Sequence, residues 1–352
     1  MYDVIINTAF FEVIIMKVPI SLIIDDPAPV ISSFYECAVS GTTSYAHAKE
    51  RQQTKDGRPL LKKIPNEFLF RFCDIIEQYG IKGKFTVIPM PGNKGDIVRG
   101  LEGVSKDDLS EWIDTVKSRV AKNFTIGPEM LTHNKAVDLK TGLPLSLSER
   151  DWASTQDRST LTPYISKALS LLREAGLDAF GVTSPWNFGI EVEDEYAAAI
   201  SRAVYEVTGK KNAWYFLRGL RNTPNAKPWV AFEEEGRVLV SIPATTRDKM
   251  WKTMDTTESS REYVCSVADE LITSDGKSGE IIQVLETGGY PILVTHWQSL
   301  ISNGLCTGMS ILAEVAKRVN SILSDKVEWM SFEEIMNLVI SNKKDYPKPI
   351  FE

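Results

Sequence analysis

Short apolar runs alternate along the chain with longer segments whose apolar residues recur at helical spacing, and this alternation restricts the fold more than any other feature. The first run, VPISLII at 18–24, is typical of a strand that is covered on both faces. Six or seven strand-then-helix units of this kind follow one another. The pattern predicts a parallel sheet flanked by helices, arranged either as a barrel or as a doubly wound sheet.

Local signals place the ends of two helices. In the segment PNEFLFRFCDIIEQYG, apolar residues recur at helical spacing between Pro65 near the start and Gly80 at the stop. A second helix is predicted after Ser105, a capping residue with Asp108 three residues further on. The segment GKFTVIP, between these two helices, is predicted to be the second strand.

Composition and length limit the class of protein and the kinds of partner that are expected. The chain has 352 residues and a net charge of −7, and no dense Lys/Arg cluster occurs, so a nucleic-acid partner is not expected. The four cysteines form no C-x-x-C pair and are expected to be reduced core residues. We expect a single domain over residues 18–345. Two long polar segments, at about 38–63 and 138–159, are predicted insertions that either serve a function or are disordered.

Residues 1–17 are interpreted as an N-terminal extension. The extension is apolar, but it carries Asp3 and Glu12 and lacks a basic start, so it is a poor signal peptide and is too short to span a bilayer. Met16 is an alternative start, because the first strand follows it directly. The expected location is cytoplasmic, with no membrane span.

Polar and aromatic side chains gather at the predicted carboxyl ends of the strands, where parallel α/β folds place their ligand sites. Two of the three histidines in the chain, His133 and His296, stand at these ends. We assign four further strand-end residues to substrate binding: Trp186, Asn187, Arg247 and Trp297. The two tryptophans either belong to the core or stack on sugar faces.

Asp25 and Asp26 follow the first apolar run directly, and this arrangement needs an explanation because adjacent carboxylates repel each other. Neighbouring residues on a strand face opposite ways, so both can serve one site only if the strand ends between them. Pro27 favours such an end. One carboxylate could then bind a metal ion while the other acts as a base; alternatively, both residues are turn formers before Pro27.

Five segments, taken in order, resemble the motifs of the polysaccharide deacetylases, the NodB-homology family. ISLIIDDPAP resembles the first motif, in which an apolar strand ends in an Asp-Asp pair, and EMLTH resembles the second, which ends in a metal-binding histidine. GVTSPWNFG falls at the third motif, PILVTHW is similar to the motif of the general-acid histidine, and VEWMSFEEIM resembles the closing strand and helix. The resemblance covers roughly residues 18–339.

The resemblance implies a distorted (β/α) barrel with inserted loops and a single divalent metal ion, with zinc expected and cobalt or nickel possible. It also implies roles for individual residues. Asp25 is the expected general base, Asp26 and His133 are the expected metal ligands, and His296 is the expected general acid. These roles are chemically consistent, since a bound metal acidifies its water, a carboxylate accepts the proton and a histidine protonates the leaving nitrogen.

Two departures from the family pattern affect the expected site. The family's second metal-binding histidine has Val137 in its place, and we predict that Asp138 substitutes as an oxygen ligand. The third motif's arginine, which steadies the base, has Thr183 in its place. Three arginines on other loops are candidates to replace it: Arg247, Arg218 and Arg221.

The expected function is metal-dependent hydrolysis of an N- or O-acyl group on a carbohydrate or another small acylated substrate. A first alternative is a glycoside hydrolase on the related barrel, with Asp25 or Asp26 paired with Glu129 or Asp138. Glu129 is otherwise expected to support its loop. A second alternative is a non-catalytic carbohydrate-binding barrel that has lost its metal, which Val137 and Thr183 favour. The sequence specifies no oligomeric state.

Overall fold

The structure is a computed structural model, and the part of the chain that it describes comprises residues 17–30, 57–59, 61, 63–254 and 256–349. All but the last residue of the predicted N-terminal extension, 1–17, lies outside these residues. So does most of the insertion predicted near 38–63. No helix of the described residues is long and apolar enough to cross a membrane.

Thirteen strands run through the described residues. They are β1 Val18–Asp25, β2 Gly83–Val87, β3 Gly95–Asp96, β4 Gly100–Leu101, β5 Phe124–Pro128, β6 Lys135–Val137, β7 Pro144–Ser148, β8 Gly181–Thr183, β9 Asn212–Phe216, β10 Trp229–Glu234, β11 Arg237–Ser241, β12 Ile292–His296 and β13 Val327–Trp329.

Ten α-helices are present in the same part of the chain. They are α1 Asn66–Tyr79, α2 Lys106–Ser118, α3 Glu149–Ala153, α4 Arg158–Glu174, α5 Glu193–Thr208, α6 Arg261–Asp269, α7 Glu280–Glu286, α8 Trp297–Ile301, α9 Thr307–Ile322 and α10 Phe332–Ser341.

The main strands form two sheets. The first has the order β12-β1-β2-β5, with β13 also paired to β1, and every pair in it is parallel. The second has the order β10-β11-β9-β8, in which only the β10–β11 pair is antiparallel. The predicted α/β class with a parallel sheet is therefore confirmed.

Isolated contacts join the two sheets. Ile126 at β5 bridges to Ala179, and Glu129 bridges to Thr183 at the end of β8. On the other side, the backbone N–H of Thr245 donates to the carbonyl of Ile292 in β12 at 3.0 Å. The described strands still form two sheets and no closed one, so the predicted distorted (β/α) barrel is not confirmed.

The local signals in the sequence place α1 and α2 correctly. Helix α1 buries Leu69, Phe72 and Ile76 on one face and ends at Gly80, whose φ of 62° is the left-handed conformation that glycine adopts without a steric penalty. At α2, the Ser105 side chain accepts a hydrogen bond from the Asp108 backbone N–H. Phe72 of α1 packs against Phe85 of β2, and Trp112 of α2 packs against the same ring, so both helices cover one face of the first sheet.

The predicted insertion at 138–159 has regular structure. Strands β6 and β7 pair as an antiparallel hairpin, and helix α3 follows β7 directly, with the Ser148 side chain capping it. The sequence analysis predicts only that this segment is an insertion that either serves a function or is disordered. Its position after β5 brings it to the carboxyl edge of the first sheet, where the polar residues gather.

Candidate active site

Strand β1 ends in a backbone reversal that brings two carboxylates to one cavity. Asp25 is the last residue of β1, and Asp26 has a φ of 66°, in the left-handed region. This conformation breaks the strict alternation of side chains along a strand, so Asp25 and Asp26 both line the same cavity. The question raised by the adjacent aspartates is thus answered by the local backbone.

Asp26, Glu129 and His133 form a buried cluster whose candidate ligand atoms all lie within 4.8 Å of one another. The imidazole Nε2 of His133 lies 3.0 Å from Asp26 Oδ1 and 3.7 Å from Glu129 Oε1. Each of the three residues is at most 3% exposed. The backbone N–H of Asp26 also donates to Glu129 Oε2 at 2.7 Å, which fixes the two acidic residues relative to each other.

The donor set of this cluster fits a divalent cation. Both carboxylate oxygens of Asp26 are buried, and Oδ2 has no hydrogen-bond partner among the described residues, while Oδ1 lies 3.0 Å from the His133 imidazole. Buried polar atoms are rarely left in this state, because desolvation without a partner is costly. Imidazole nitrogen with two carboxylate oxygens is a set that zinc, cobalt and nickel accept.

Without a cation, protons balance the charges of the cluster. Burial raises the pKa of Glu129 to about 8, assisted by the charges of Asp25 and Asp26. Burial alone would lower the pKa of His133, but the Asp26 and Glu129 carboxylates raise it to about 9. Burial opposes ionisation of Asp26 as well, yet His133 holds the pKa of its carboxyl well below the usual range. A divalent cation that binds to this cluster therefore displaces the protons of Glu129 and His133.

The loop that carries His133 is held by a second buried carboxylate, Glu149 at the start of α3. Its Oε1 accepts the backbone N–H groups of Leu131 and Thr132, each at 3.0 Å, and its Oε2 accepts that of His133 at 2.8 Å. The hydroxyl of Tyr164 donates to Oε1 at 2.7 Å. His133 has a φ of 52°, so these bonds stabilise a backbone conformation that is unfavourable in isolation.

Asp25 forms a buried ion pair with Lys84, which comes from the middle of β2. The ammonium group contacts Asp25 Oδ1, and it also donates to Thr183 Oγ1 at 2.6 Å and lies 4.9 Å from the centre of the Phe216 ring. Lys84 is fully buried. Lys84 is therefore the cation beside Asp25, the expected base. The hydroxyl that accepts from this ammonium group belongs to Thr183, which stands at the position of the arginine in the third motif.

His296, the last residue of β12, pairs with Asp248. The two side chains meet at 2.7 Å through His296 Nδ1, and the ring of Trp251 packs against the imidazole with ring centres 4.6 Å apart. Burial would lower the pKa of His296, but the hydrogen bond to Asp248 and the charge of Asp26 raise it to about 9. The imidazole is therefore protonated at neutral pH.

These groups surround one open cavity of about 260 Å³. Trp186 and Asn187 line it, as expected, and the Trp186 ring lies 4.3 Å from that of His133. Several lining residues share an unusual left-handed backbone: Asp26, His133, Trp186 and Asn187. Conformations of this kind concentrate at functional sites, because the surrounding structure must be built to hold them.

Three of the predicted site residues lie away from the cavity. Trp297 is fully buried and packs edge-on against Phe72 and Phe85, so it is a core residue and cannot contact a substrate. Arg247 is half exposed and pairs with Glu280. Asp138 lies in the β6–β7 turn, where its Oδ1 accepts the backbone N–H groups of the second and third residues after it.

Sequence reasoning missed Lys84, Glu149 and Asp248 as site residues. Lys84 carried a detectable signal, since a lysine in the middle of an apolar strand must find a buried partner. Asp248 directly follows Arg247 in the segment IPATTRDKMW, and the sequence analysis assigns only Arg247 to the site. Glu149 gave no signal, because nothing in its local sequence distinguishes it from a solvated helix-start residue.

No protein-family model matches the chain, and no curated protein matches it. Among solved structures, it is similar to one described as a polysaccharide deacetylase from Mycobacterium smegmatis, at 14% identity and a TM-score of 0.47 over 81% of this chain and 80% of that one. It is similar to a 4-alpha-glucanotransferase from Thermococcus litoralis, at 12% identity and a TM-score of 0.43 over 92% of this chain and 40% of that one.

A third similar structure is that of a T48 deacetylase with substrate, at 8% identity and a TM-score of 0.39 over 91% of this chain and 92% of that one. The chain spans less than half of the glucanotransferase and most of each deacetylase. At TM-scores this low, the similarities assign neither a family nor an activity, and the case for function depends on the geometry of the cavity.

Proposed function

We propose that the chain is a metal-dependent hydrolase that removes an N- or O-acyl group from a carbohydrate. The observation that carries this proposal is the buried cluster of Asp26, Glu129 and His133, in which Asp26 Oδ1 lies 3.0 Å from the His133 imidazole and Oδ2 has no hydrogen-bond partner among the described residues. These three residues hold a divalent cation in the proposal, with zinc the expected ion and cobalt or nickel acceptable. Glu129 takes the role expected for Asp138.

When bound, the cation polarises the acyl carbonyl and stabilises the negative charge that develops on its oxygen. Asp25 is the general base, which accepts the proton of the attacking water. Lys84 and Thr183 are its positioning residues, because the ammonium group bonds to both and fixes the direction of the Asp25 carboxylate. This arrangement replaces the arginine expected from the third motif.

His296 is the general acid. Its Nδ1 is held by Asp248, which directs the other ring nitrogen, Nε2, toward the leaving group. With its pKa raised to about 9, His296 carries the required proton at neutral pH. The Trp186 and Trp251 rings flank the cavity and are suited to stack on a sugar and to exclude water.

The predicted distorted barrel belongs to the same proposal. We infer that the two sheets are halves of one incompletely hydrogen-bonded barrel. The bridges from Ile126 to Ala179 and from Glu129 to Thr183 support this on one side, and the Thr245–Ile292 hydrogen bond supports it on the other. Such a closure places the carboxyl ends of β1, β2, β5, β8 and β12 around one mouth.

The two alternatives fit the geometry less well. A glycoside hydrolase needs two carboxylates that flank a glycosidic bond, whereas Asp26 and Glu129 both approach the same His133 Nε2, at 3.0 and 3.7 Å. The non-catalytic alternative depended on Val137 and Thr183. Glu129 supplies a carboxylate in place of the histidine missing at Val137, and Lys84 supplies a cation in place of the arginine missing at Thr183. The two departures therefore no longer favour the non-catalytic alternative.

Metal content and product release together test the proposal. Protein purified without chelator should contain one equivalent of a divalent metal, and it should release acetate from an N-acetylated chitooligosaccharide or an O-acetylated xylan. Chelation should stop the release, and zinc, cobalt or nickel should restore it. New reducing ends without acetate would favour the glycoside hydrolase, and sugar binding without either product would favour the non-catalytic alternative. Absence of stoichiometric metal would remove the main support for a hydrolase.

A further inference from the structure

The charged side chains around the cavity contact groups of opposite charge, with one exception. Asp25 pairs with Lys84, Asp248 pairs with His296, and Asp26 and Glu129 approach His133. Arg221 also lines this cavity, and it has no hydrogen-bond or ion-pair partner among the described residues. Its guanidinium is therefore available to bind an anionic group of a ligand in this cavity.

The backbone holds Arg221 in place beside this cavity. It follows Gly219, which bridges to Ala244 after β11, and the N–H of Leu220 donates to the Ala244 carbonyl at 2.7 Å. The Arg221 Nε lies 3.6 Å from the position that a Cβ on Gly219 would take. Because Gly219 itself lines the cavity, the guanidinium stem folds back along the cavity wall rather than away from it.

A second cavity, of about 250 Å³, adjoins the first at Arg221. Its lining is polar and includes the side chains of Asn222, Gln283 and Arg247. Arg247 is neutralised there, since Glu280 accepts from its backbone N–H at 2.7 Å and from its guanidinium at 3.3 Å. Arg221 is thus the cation that remains available between the catalytic cavity and a polar extension with room for a substituent.

We propose that Arg221 binds a carboxylate carried by the substrate, so that the substrate is an acylated sugar with an acid group. This inference rests on the proposed function, because it assumes that a sugar occupies the catalytic cavity. A guanidinium group binds a planar carboxylate through two parallel hydrogen bonds.

Binding rather than turnover tests the inference, so its result is separate from that of the hydrolase proposal. Three probes share the acetamido group: N-acetylglucosamine, N-acetylmuramic acid with a carboxylate on the C3 ether, and 2-acetamido-2-deoxyglucuronic acid with a carboxylate at C6. Their affinities are measured calorimetrically on the zinc-loaded protein. At least one acid should bind about tenfold more tightly than the neutral sugar, as expected for a charge-assisted pair. Added salt should reduce the difference, since Arg221 is exposed.

Two variants locate the preference. Arg221→Gln should abolish it and leave the affinity for N-acetylglucosamine unchanged, whereas Arg247→Gln, the matched control, should leave the preference intact. A preference that survives in Arg221→Gln would overturn the assignment of this residue. Equal affinities for all three probes in the wild-type protein, or no binding of any of them, would overturn the substrate class. Acid preference without acetate release would contradict only the hydrolase proposal.

Discussion

Asp25 and His296 are direct register partners at the carboxyl ends of the adjacent parallel strands β1 and β12. Their backbones are therefore held about 4.8 Å apart by the ladder of the sheet. They stand side by side, and each contacts its own partner, Lys84 for Asp25 and Asp248 for His296. In the proposed mechanism, the base and the acid are therefore fixed on one edge of a sheet, and their separation should not change as the cavity fills.

Glu129 should be required for metal binding, and Asp138 should not. Glu129→Gln removes a carboxylate from the cluster and should weaken metal affinity by well over tenfold, because loss of even an outer partner typically costs 10–100-fold. Asp138→Asn is the matched control and should bind metal normally, since Asp138 caps a turn. Competition with a chromogenic chelator measures both affinities. Loss of affinity in Asp138→Asn alone would return the ligand role to that residue.

Lys84→Met should destabilise the protein, because it leaves Asp25 buried without its counter-ion. Breaking one side of a buried pair typically costs about 3–5 kcal/mol in free energy of unfolding. The double variant Asp25→Asn with Lys84→Met should recover much of this loss, since no charge is left unpaired. Urea denaturation of the wild type, both single variants and the double variant measures the coupling. Additive losses would show that the pair is energetically unimportant.

His296→Ala should separate proton donation from metal binding. As a general acid, His296 should contribute roughly 10²–10⁴-fold to turnover and nothing to metal affinity. Its side chain contacts Asp248 and Trp251 rather than the cluster of Asp26, Glu129 and His133. Titration of zinc into the variant checks the affinity, and acetate release checks the rate. A large loss of metal affinity would instead make His296 a ligand.

The metal-free protein should lose stability as the pH rises from 6.5 to about 9. The folded state raises the pKa of His133 from 6.5 to about 9 and that of Glu129 from 4.5 to about 8, so it binds protons that the unfolded chain releases. That contribution is complete below the unfolded values and disappears as the pH passes the folded ones. Melting temperatures measured with chelator present should therefore fall over this range.

Zinc should reduce or reverse this pH dependence, because the cation binds the deprotonated ligands and gains affinity as protons leave. The variant His133→Gln with Glu129→Gln provides the control, since neither side chain titrates in it. A metal-free wild type whose melting temperature stays constant or rises between pH 6.5 and about 9 would show that the cluster is not held by protons.

Four site residues were found in the sequence because each ends or follows an apolar strand. Asp25, Asp26, His133 and His296 reach one cavity for the reason that the pattern predicts, since the carboxyl ends of parallel strands meet at one edge. Glu129 was noticed but was given a supporting role. The strand-then-helix order also predicted the α/β class correctly, while the isolated bridges between the two sheets carry no sequence signal.

The remaining errors have a common physical cause, which is that side-chain direction depends on distant partners. Asp25 and Lys84 are 59 positions apart, and only the β1–β2 pairing brings them together. Trp297 was expected to face a sugar, but it begins α8 and turns toward the aromatic rings of α1 and β2. Asp138 is followed by Leu-Lys-Thr-Gly, which contains a turn signal that the resemblance to a metal motif outweighed.

The hydrogen bonds between Glu149 and the His133 loop divide the β6–β7 hairpin into a fixed base and a tip whose sequence can vary. The backbone N–H of Glu149 donates to the Asn134 carbonyl at 2.8 Å, so the chain between these residues is a ring closed by hydrogen bonds at its base. The far end of that ring carries the exposed Leu139 and Leu143. Substitutions, insertions or deletions at this tip should therefore leave the position of the His133 imidazole unchanged.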